Sequence, residues 1–242
     1  MPRDGLRVCV VIPAYNEARH IAQVVTGVRR QLPDVVVVDD GSRDDTAEQA
    51  AQAGAHVIRH QRNRGKGGAL QTAFDYAAGR GYDAVIALDA DGQHDPAEVP
   101  RFLAALARGR GDIILGSRMA DPRGMPWLRR WTNRTTSVIL SRLSGQRIQD
   151  SQSGYKAILV EVLRHVRPTR AGFDAESEFL VAASRLGYRV GHVPIRTIYG
   201  DEVSSIRPVR DTWRFIRLCL VFILKLSPRP RLASGVGRGP NP

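Results

Sequence analysis

The stretch Ala84-Val85-Ile86-Ala87-Leu88-Asp89-Ala90-Asp91-Gly92-Gln93-His94-Asp95-Pro96 decides how this chain folds. Its opening run of apolar residues suits a strand buried on both faces. The run stops at two carboxylates one residue apart, followed by a glycine, a side-chain amide and Asp-Pro. Residues spaced by two on an extended chain point the same way, so Asp89 and Asp91 can converge where a buried strand surfaces. Hard oxygen ligands that close together suit Mg²⁺ or Mn²⁺, ions that commonly carry phosphate oxygens in their open positions. The same residues also suit a plain surface turn, where Asp, Gly and Pro are common.

Outward from this stretch the same alternation recurs. Val8-Cys9-Val10-Val11-Ile12, Val35-Val36-Val37-Val38, His56-Val57-Ile58 and Ile113-Ile114-Leu115 read as further strands. Helical patterns lie between them over 17–30, 45–53, 67–78 and 96–107, the first with Ile21, Val24, Val25 and Val28 on one face. Asp44, Asp45 and Thr46 are expected to cap the second. Strands alternating with helices predict an α/β fold, a Rossmann-like, mostly parallel sheet flanked by helices. Ligands bind such sheets at the carboxyl ends of the strands. Those ends read Pro13-Ala14-Tyr15-Asn16-Glu17, Asp39-Asp40-Gly41-Ser42, Asp89-Ala90-Asp91 and Gly116-Ser117-Arg118, polar at all four. After residue 120 the pattern loosens into helices over 127–143 and 176–186, a strand-like run over 190–199 and a last helix over 209–226. Residues 227–242, rich in Pro, Gly and Arg, read as a disordered tail.

With 242 residues the chain holds one large α/β domain or two small ones. Its net charge of +12 is carried almost wholly by arginine, since Lys66, Lys156 and Lys225 are its only lysines. From Arg207 onward eight basic residues face one acid, Asp211, so +7 of the +12 sits there. Such a segment could meet nucleic acid, anionic lipid or a phosphorylated substrate. Cys9 and Cys219 lie in apolar runs without disulfide or metal-ligand spacing, which fits a reducing cytoplasmic setting. Met1 to Arg7 is polar and no apolar stretch approaches the ~20 residues of a spanning helix, so neither a signal peptide nor a membrane span is expected.

Two common phosphate-binding schemes fail. The turn after the first strand, PAYNEARH, has none of the glycines of a dinucleotide fold. Around Lys66 the sequence Arg64-Gly65-Lys66-Gly67-Gly68 lacks the spacing of a P-loop. What remains is a parallel sheet with acidic turns and a metal-type carboxylate pair.

In order and spacing, VVIPAYNE, VVVDDGSRDDT, NRGKGGAL, LDADGQHDP and DSQSGYKA resemble the family 2 glycosyltransferases of GT-A fold. The nearest group is the polyprenyl-phosphate (dolichol-phosphate) mannosyl- and glucosyltransferases. The resemblance runs over roughly residues 6 to 210. It implies a catalytic domain over 1–208 that moves a hexose, with inversion, from a nucleoside-diphosphate sugar (GDP-mannose or UDP-glucose) to a polyprenyl phosphate, using Mg²⁺ or Mn²⁺ and no nucleic acid. It further implies that Pro13, Tyr15 and Glu17 line the base and ribose, with Asp39 or Asp40 beside them. Asp89, Asp91 and Gln93, with Ala90 between, become the metal and diphosphate triad, Asp91 and Gln93 being the direct ligands. Arg118 resembles the family's arginine near the donor phosphates, and Glu176 its acidic residue near the acceptor. Glu178 is expected to face outward and His94 to be solvated.

Lys66 lies among glycines that permit close backbone approach, so it reads as a nucleotide or phosphate contact, or else as part of a flexible loop. A phosphate acceptor is already an anion and requires no strong base, whereas a sugar hydroxyl would require Asp174 or Glu176 as one. Tyr199 to Arg210 resembles the stretch that handles the lipid phosphate, with Ser205, Arg207 and Arg210 able to grip an anion. Beyond it, Arg210, Arg214 and Arg217 share one face of a helix otherwise rich in apolar and aromatic residues, an amphipathic element suited to a membrane interface or to packing on protein. Anchoring is therefore expected to be peripheral, at the inner face of the cytoplasmic membrane, or borrowed from a partner protein. Transfer to a saccharide or small polar acceptor, and a non-catalytic basic adaptor for membrane or nucleic acid, stand as the alternatives.

Overall fold

The computed structural model describes residues 3, 5–120, 127–166, 173–196 and 198. The expected helix over 209–226, the tail over 227–242 and the anion grip of Ser205, Arg207 and Arg210 lie outside the described residues.

Seven strands form one sheet: β1 (Val8–Ala14), β2 (Val35–Asp39), β3 (His56–Arg59), β4 (Ala84–Ala87), β5 (Ile113–Ser117), β6 (Lys156–Leu159) and β7 (Val190–Pro194). Their spatial order is β3-β2-β1-β4-β6-β5-β7. The first four strands are mutually parallel, as the alternating pattern predicts. β1 is central to that half, and Cys9 to Ile12 have no exposed surface at all. β2 is buried along its whole length, which its unbroken run of valines requires. Each such side chain contributes roughly 2 kcal/mol when removed from water.

The helices are α1 (Ile21–Arg29), α2 (Thr46–Gln52), α3 (Lys66–Gly79), α4 (Val99–Ala107), α5 (Trp127–Ser144), α6 (Val160–His165) and α7 (Phe173–Arg185). On α1 the buried residues are Ile21, Val24, Val25 and Val28, the stripe its spacing predicts. The turn before α4 is set by Asp95, whose carboxylate accepts the Ala97 N–H at 2.9 Å, with Pro96 at the first position. The end of the acidic motif thus doubles as the start of an element.

Two features depart from the sequence reading. β6 runs antiparallel to both of its neighbours, β4 and β5, and was not foreseen; neither was the short α6 that follows it directly. The strand-like run over 190–199 forms a strand only as far as Pro194.

Candidate active site

The carboxyl ends of β1, β2 and β4 open on one edge of the sheet, and the amino end of antiparallel β6 arrives beside them. Asp89 lies two residues beyond the end of β4, after Leu88. Its Oδ1 lies 2.7 Å from Nζ of Lys66, the first residue of α3. Nζ also lies 3.7 Å from Oε1 of Glu176 on α7, whose Oε2 is 2.9 Å from Nζ of Lys156 at the start of β6. Two carboxylates and two ammonium groups therefore alternate in one chain, Asp89–Lys66–Glu176–Lys156, built from four separate elements. Two of the three lysines in the protein are in it.

Lys66 is badly placed for its own helix, because a cation at a helix N-terminus opposes the dipole by about 0.3–1 kcal/mol. No acidic residue lies in that first turn, and Gly65 at the cap has no side chain to bond the helix N–H groups. The two facing carboxylates outweigh this. Burial would lower the Lys66 pKa, yet Asp89 and Glu176 raise it above the usual lysine value. Burial likewise pushes the Asp89 carboxyl up, and Lys66, His94 and Lys156 together bring it down to about 2. Glu176 follows the same pattern: burial raises it, while Lys156 and Lys66 hold it below the ordinary carboxylate value. Both carboxylates are firmly ionised at neutral pH.

Gly154 is what lets the DSQSGYKA segment approach. A Cβ at that position would collide with the Asp89 carboxylate, its Cγ lying 2.7 Å away. Nε2 of His94 is 3.8 Å from Oδ2 of Asp89. His94 is not solvated as expected. It is 5% exposed and its ring is tilted against Tyr155 at 5.2 Å between centroids. Burial, opposed by Asp89 and aided by Arg118 and Lys66, pulls its pKa down to about 4, so the imidazole is neutral at pH 7.

Asp91 accepts the backbone N–H of Gln93 at 3.0 Å, which folds the two side-chain bearing positions into one turn. Asp91 and Gln93 are half-buried, and Ala90 between the aspartates is buried. Among the described residues no three His, Cys, Asp or Glu side chains converge as a ready cation cage. With Asp89 drawn to Lys66, the donors present are a few hard oxygens. That suits an ion of the Mg²⁺ type, which is bound through one or two carboxylates plus phosphate oxygens of a substrate.

At the β1 and β2 ends, Tyr15 is 42% exposed and its ring is open to a ligand. The Glu17 N–H donates to Oγ1 of Thr46 at 2.8 Å, fixing the turn after β1. Asp44 holds that same turn and the start of α2, accepting the N–H groups of Ala18 and Thr46. Asp45, at the cap position itself, makes no side-chain cap bond. Pro13 is half-buried in β1 opposite Val38. Asp39 is buried, accepts the Ser42 N–H at 3.0 Å and lies 3.1 Å from Nε of Arg59. Asp40 accepts the Arg64 N–H at 2.9 Å and lies 2.7 Å from Nδ1 of His60. The Asp40 carboxylate thus organises the loop over 60–65 that carries Lys66 to the site, while that of Asp39 ties Ser42 to Arg59 at the end of β3. Gly41, Ser42, Arg59, His60 and Gln61 line an open depression of about 270 Å³ beside them.

Arg118 is 5% exposed at the end of β5. Its Nε and Nη2 each donate at 2.8 Å to the two oxygens of Asp150, and its backbone N–H adds a third bond at 3.0 Å. Asn133 of α5 donates to the same carboxylate at 2.8 Å. Arg118 is therefore anchored in a buried pair that the sequence did not disclose. Glu178 is half-buried on α7. Asp150 and Lys156 both lie in DSQSGYKA, and the scarcity of lysine was the one signal pointing at the second of them.

Residues 9–167 match the model of the glycosyl transferase family 2. The chain belongs to that family. The transferase is similar to the UDP-N-acetylglucosamine–dolichyl-phosphate N-acetylglucosaminyltransferase of Methanococcus voltae, with 32% identity over 226 residues, covering 82% of this chain and 88% of the relative. It is also similar to the polyprenol monophosphomannose synthase of Mycolicibacterium smegmatis, with 34% identity over 207 residues, covering 80% and 78%. Among solved structures, it matches glucosyl-3-phosphoglycerate synthase from Mycobacterium tuberculosis in complex with Mn²⁺, UDP and phosphoglyceric acid. That match has a TM-score of 0.69 and 25% identity, and covers 96% of this chain and 82% of that one. The GT-A fold and the kinship with polyprenyl-phosphate transferases agree with the sequence motifs. The transferase is an enzyme of the glycosyltransferase class.

Proposed function

We propose that the transferase moves a hexose from a nucleoside-diphosphate sugar, GDP-mannose or UDP-glucose, to a polyprenyl phosphate at the inner face of the cytoplasmic membrane. The nucleobase and ribose lie against Tyr15, Pro13 and Glu17, near the depression at Gly41 and His60. The diphosphate lies between Asp91, Gln93 and the uncapped N-terminus of α3, where N–H groups and Lys66 favour an anion. Asp91 and Gln93, with Asp89 beside them, would hold Mg²⁺ or Mn²⁺. Held there, such an ion would supply positive charge to offset that of the departing diphosphate. Lys66, poised between Asp89 and Glu176, supplies the second positive charge. Arg118 acts with Asp150 to keep the end of β5 and α5 in place beneath the donor phosphates.

The observation that carries the choice of acceptor is the state of Glu176. A carboxylate held ionised by two lysines is a weak base, poorly suited to taking a proton from a sugar hydroxyl. A phosphate oxygen needs no such help. Glu176 and Lys156 then position the acceptor for attack on the face opposite the leaving group, which inverts the anomeric centre. Relatives named for dolichyl-phosphate and polyprenol transfer support the same acceptor. The test incubates the enzyme with labelled GDP-mannose or UDP-glucose, a divalent ion and polyprenyl phosphate. Label entering the organic phase, labile to mild acid, is expected. Label transferred only to a water-soluble saccharide or phosphorylated small acceptor would overturn the reading.

A further inference from the structure

Helix α5 has two unlike faces. Its inner face, Asn133, Thr136, Ser137 and Leu140, is buried. Through it, Asn133 bonds Asp150 and Ser137 bonds Ser151, so α5 lies directly behind the segment that brings Lys156 to the site. Its outer face repeats at helical spacing: Trp127, Arg130, Trp131, Arg134, Val138 and Arg142 are all exposed. Trp127 is 78% exposed and Trp131 64%, the largest values among the exposed large hydrophobic side chains of the described residues. Trp131, Arg134, Val138 and Arg142 line a shallow depression of about 450 Å³. The helix carries four arginines and no acidic residue.

We infer that this face seats the catalytic domain on an anionic bilayer. Tryptophan and arginine together are the composition of an interfacial surface: the indole is apolar with a polar edge, and the guanidinium meets lipid phosphate while its stem stays in apolar surroundings. Charge decides between occupants. The chain's own segment from Arg207 onward carries +7, so it is repelled by Arg130, Arg134 and Arg142 on this face. A second copy packed about a two-fold axis would set this basic face against itself. An anionic lipid surface complements both. The inference deepens the lipid-acceptor reading, on which its purpose rests, and it places the contact on a different element from the one foreseen over 209–226. A bilayer seated on α5 would stand one helix diameter from the Arg118–Asp150–Asn133 cluster, so docking brings the edge of the site to the membrane surface.

The test uses the full chain and vesicles of phosphatidylcholine with or without phosphatidylglycerol, in sedimentation assays without donor. The Trp127→Ser/Trp131→Ser variant is expected to bind anionic vesicles at least about tenfold more weakly. Arg130→Gln/Arg134→Gln is expected to lose about fivefold per arginine, and the wild type to weaken on neutral vesicles. All four residues are exposed, so the thermal midpoint is expected to stay put. With a short, water-soluble polyprenyl phosphate both variants keep wild-type transfer, while transfer to acceptor embedded in vesicles falls. Vesicle binding unchanged in both variants overturns the inference. So does a dimer in sedimentation velocity that the tryptophan variant dissolves, which would make the face a contact between copies. Vesicle binding that depends on α5 in an enzyme with no lipid acceptor would sustain the surface and sink the acceptor reading.

Discussion

Removing the Asp150 carboxylate takes three hydrogen bonds from Arg118. In the native structure that carboxylate receives two guanidinium bonds of 2.8 Å, the Arg118 N–H at 3.0 Å and the Asn133 amide at 2.8 Å, with both charged side chains almost wholly buried. Asp150→Ala removes the carboxylate that accepts two bonds of the buried guanidinium and opens a small void. Breaking one side of a buried pair costs about 3–5 kcal/mol, a large part of the roughly 5–15 kcal/mol that holds a typical domain folded. For a chain of this size that corresponds to a fall in Tm of roughly 6–20 °C. The pair also has a pH signature. Burial raises the Asp150 pKa, but Arg118 and Asn133 hold it below the unfolded carboxylate value. Its contribution is therefore complete above pH ~4 and is lost as pH falls through the depressed value. Urea denaturation of the wild type, Asp150→Ala and the double variant Arg118→Met/Asp150→Leu measures the effect, because removing both charges together should recover most of the loss. A single-variant loss below about 1 kcal/mol would refute the reasoning, since that is the size of an exposed ion pair and not of a buried one.

Asp91→Ala is expected to lower sugar transfer by about a hundredfold or more while the urea midpoint stays near that of the wild type; stopped assays with labelled donor measure it. Chelation by EDTA should abolish both transfer and the thermal shift produced by nucleotide sugar, and Mg²⁺ or Mn²⁺ should restore them. Lys66→Met removes the partner that brings Asp89 down to about 2, so acid unfolding should begin at higher pH than in the wild type. Gly154→Ala should lower stability by about 1–3 kcal/mol and impair transfer together, because its methyl group meets the Asp89 carboxylate. His94, neutral when folded with a pKa of about 4, binds more protons unfolded; stability should fall by roughly 3 kcal/mol from pH 7 to 4, and His94→Gln should flatten that part of the profile.

The donor half of this fold was legible because its strands announce themselves. Val8 to Ile12, Val35 to Val38 and Ala84 to Leu88 are unbroken apolar runs that only a doubly covered sheet can bury. β6 was not legible, since it is short, begins with a buried lysine and runs into α6 without a turn residue. The candidate site divides in the same way. Asp89, Lys66 and Glu176 each stood out beside a motif, yet their pairing joins residues far apart in the chain, and local patterning carries no such information. His94 shows the cost: Gly92 suggested exposure, but Tyr155, brought in from the DSQSGYKA segment, covers the ring. Arg118 was picked out for its place at a strand end, while the partner that holds it is 32 residues further on.

The reversed strand has a bearing on how the polypeptide assembles during synthesis. β5 pairs only with β6 and β7, both of which leave the ribosome later. The first four strands can therefore zip together early from neighbouring segments, whereas Ile113 to Ser117 must wait with both hydrogen-bonding edges bare until the lysine-led strand slots in beside β4. That wait makes the middle of the chain the place where chaperone capture or misassembly would strike first.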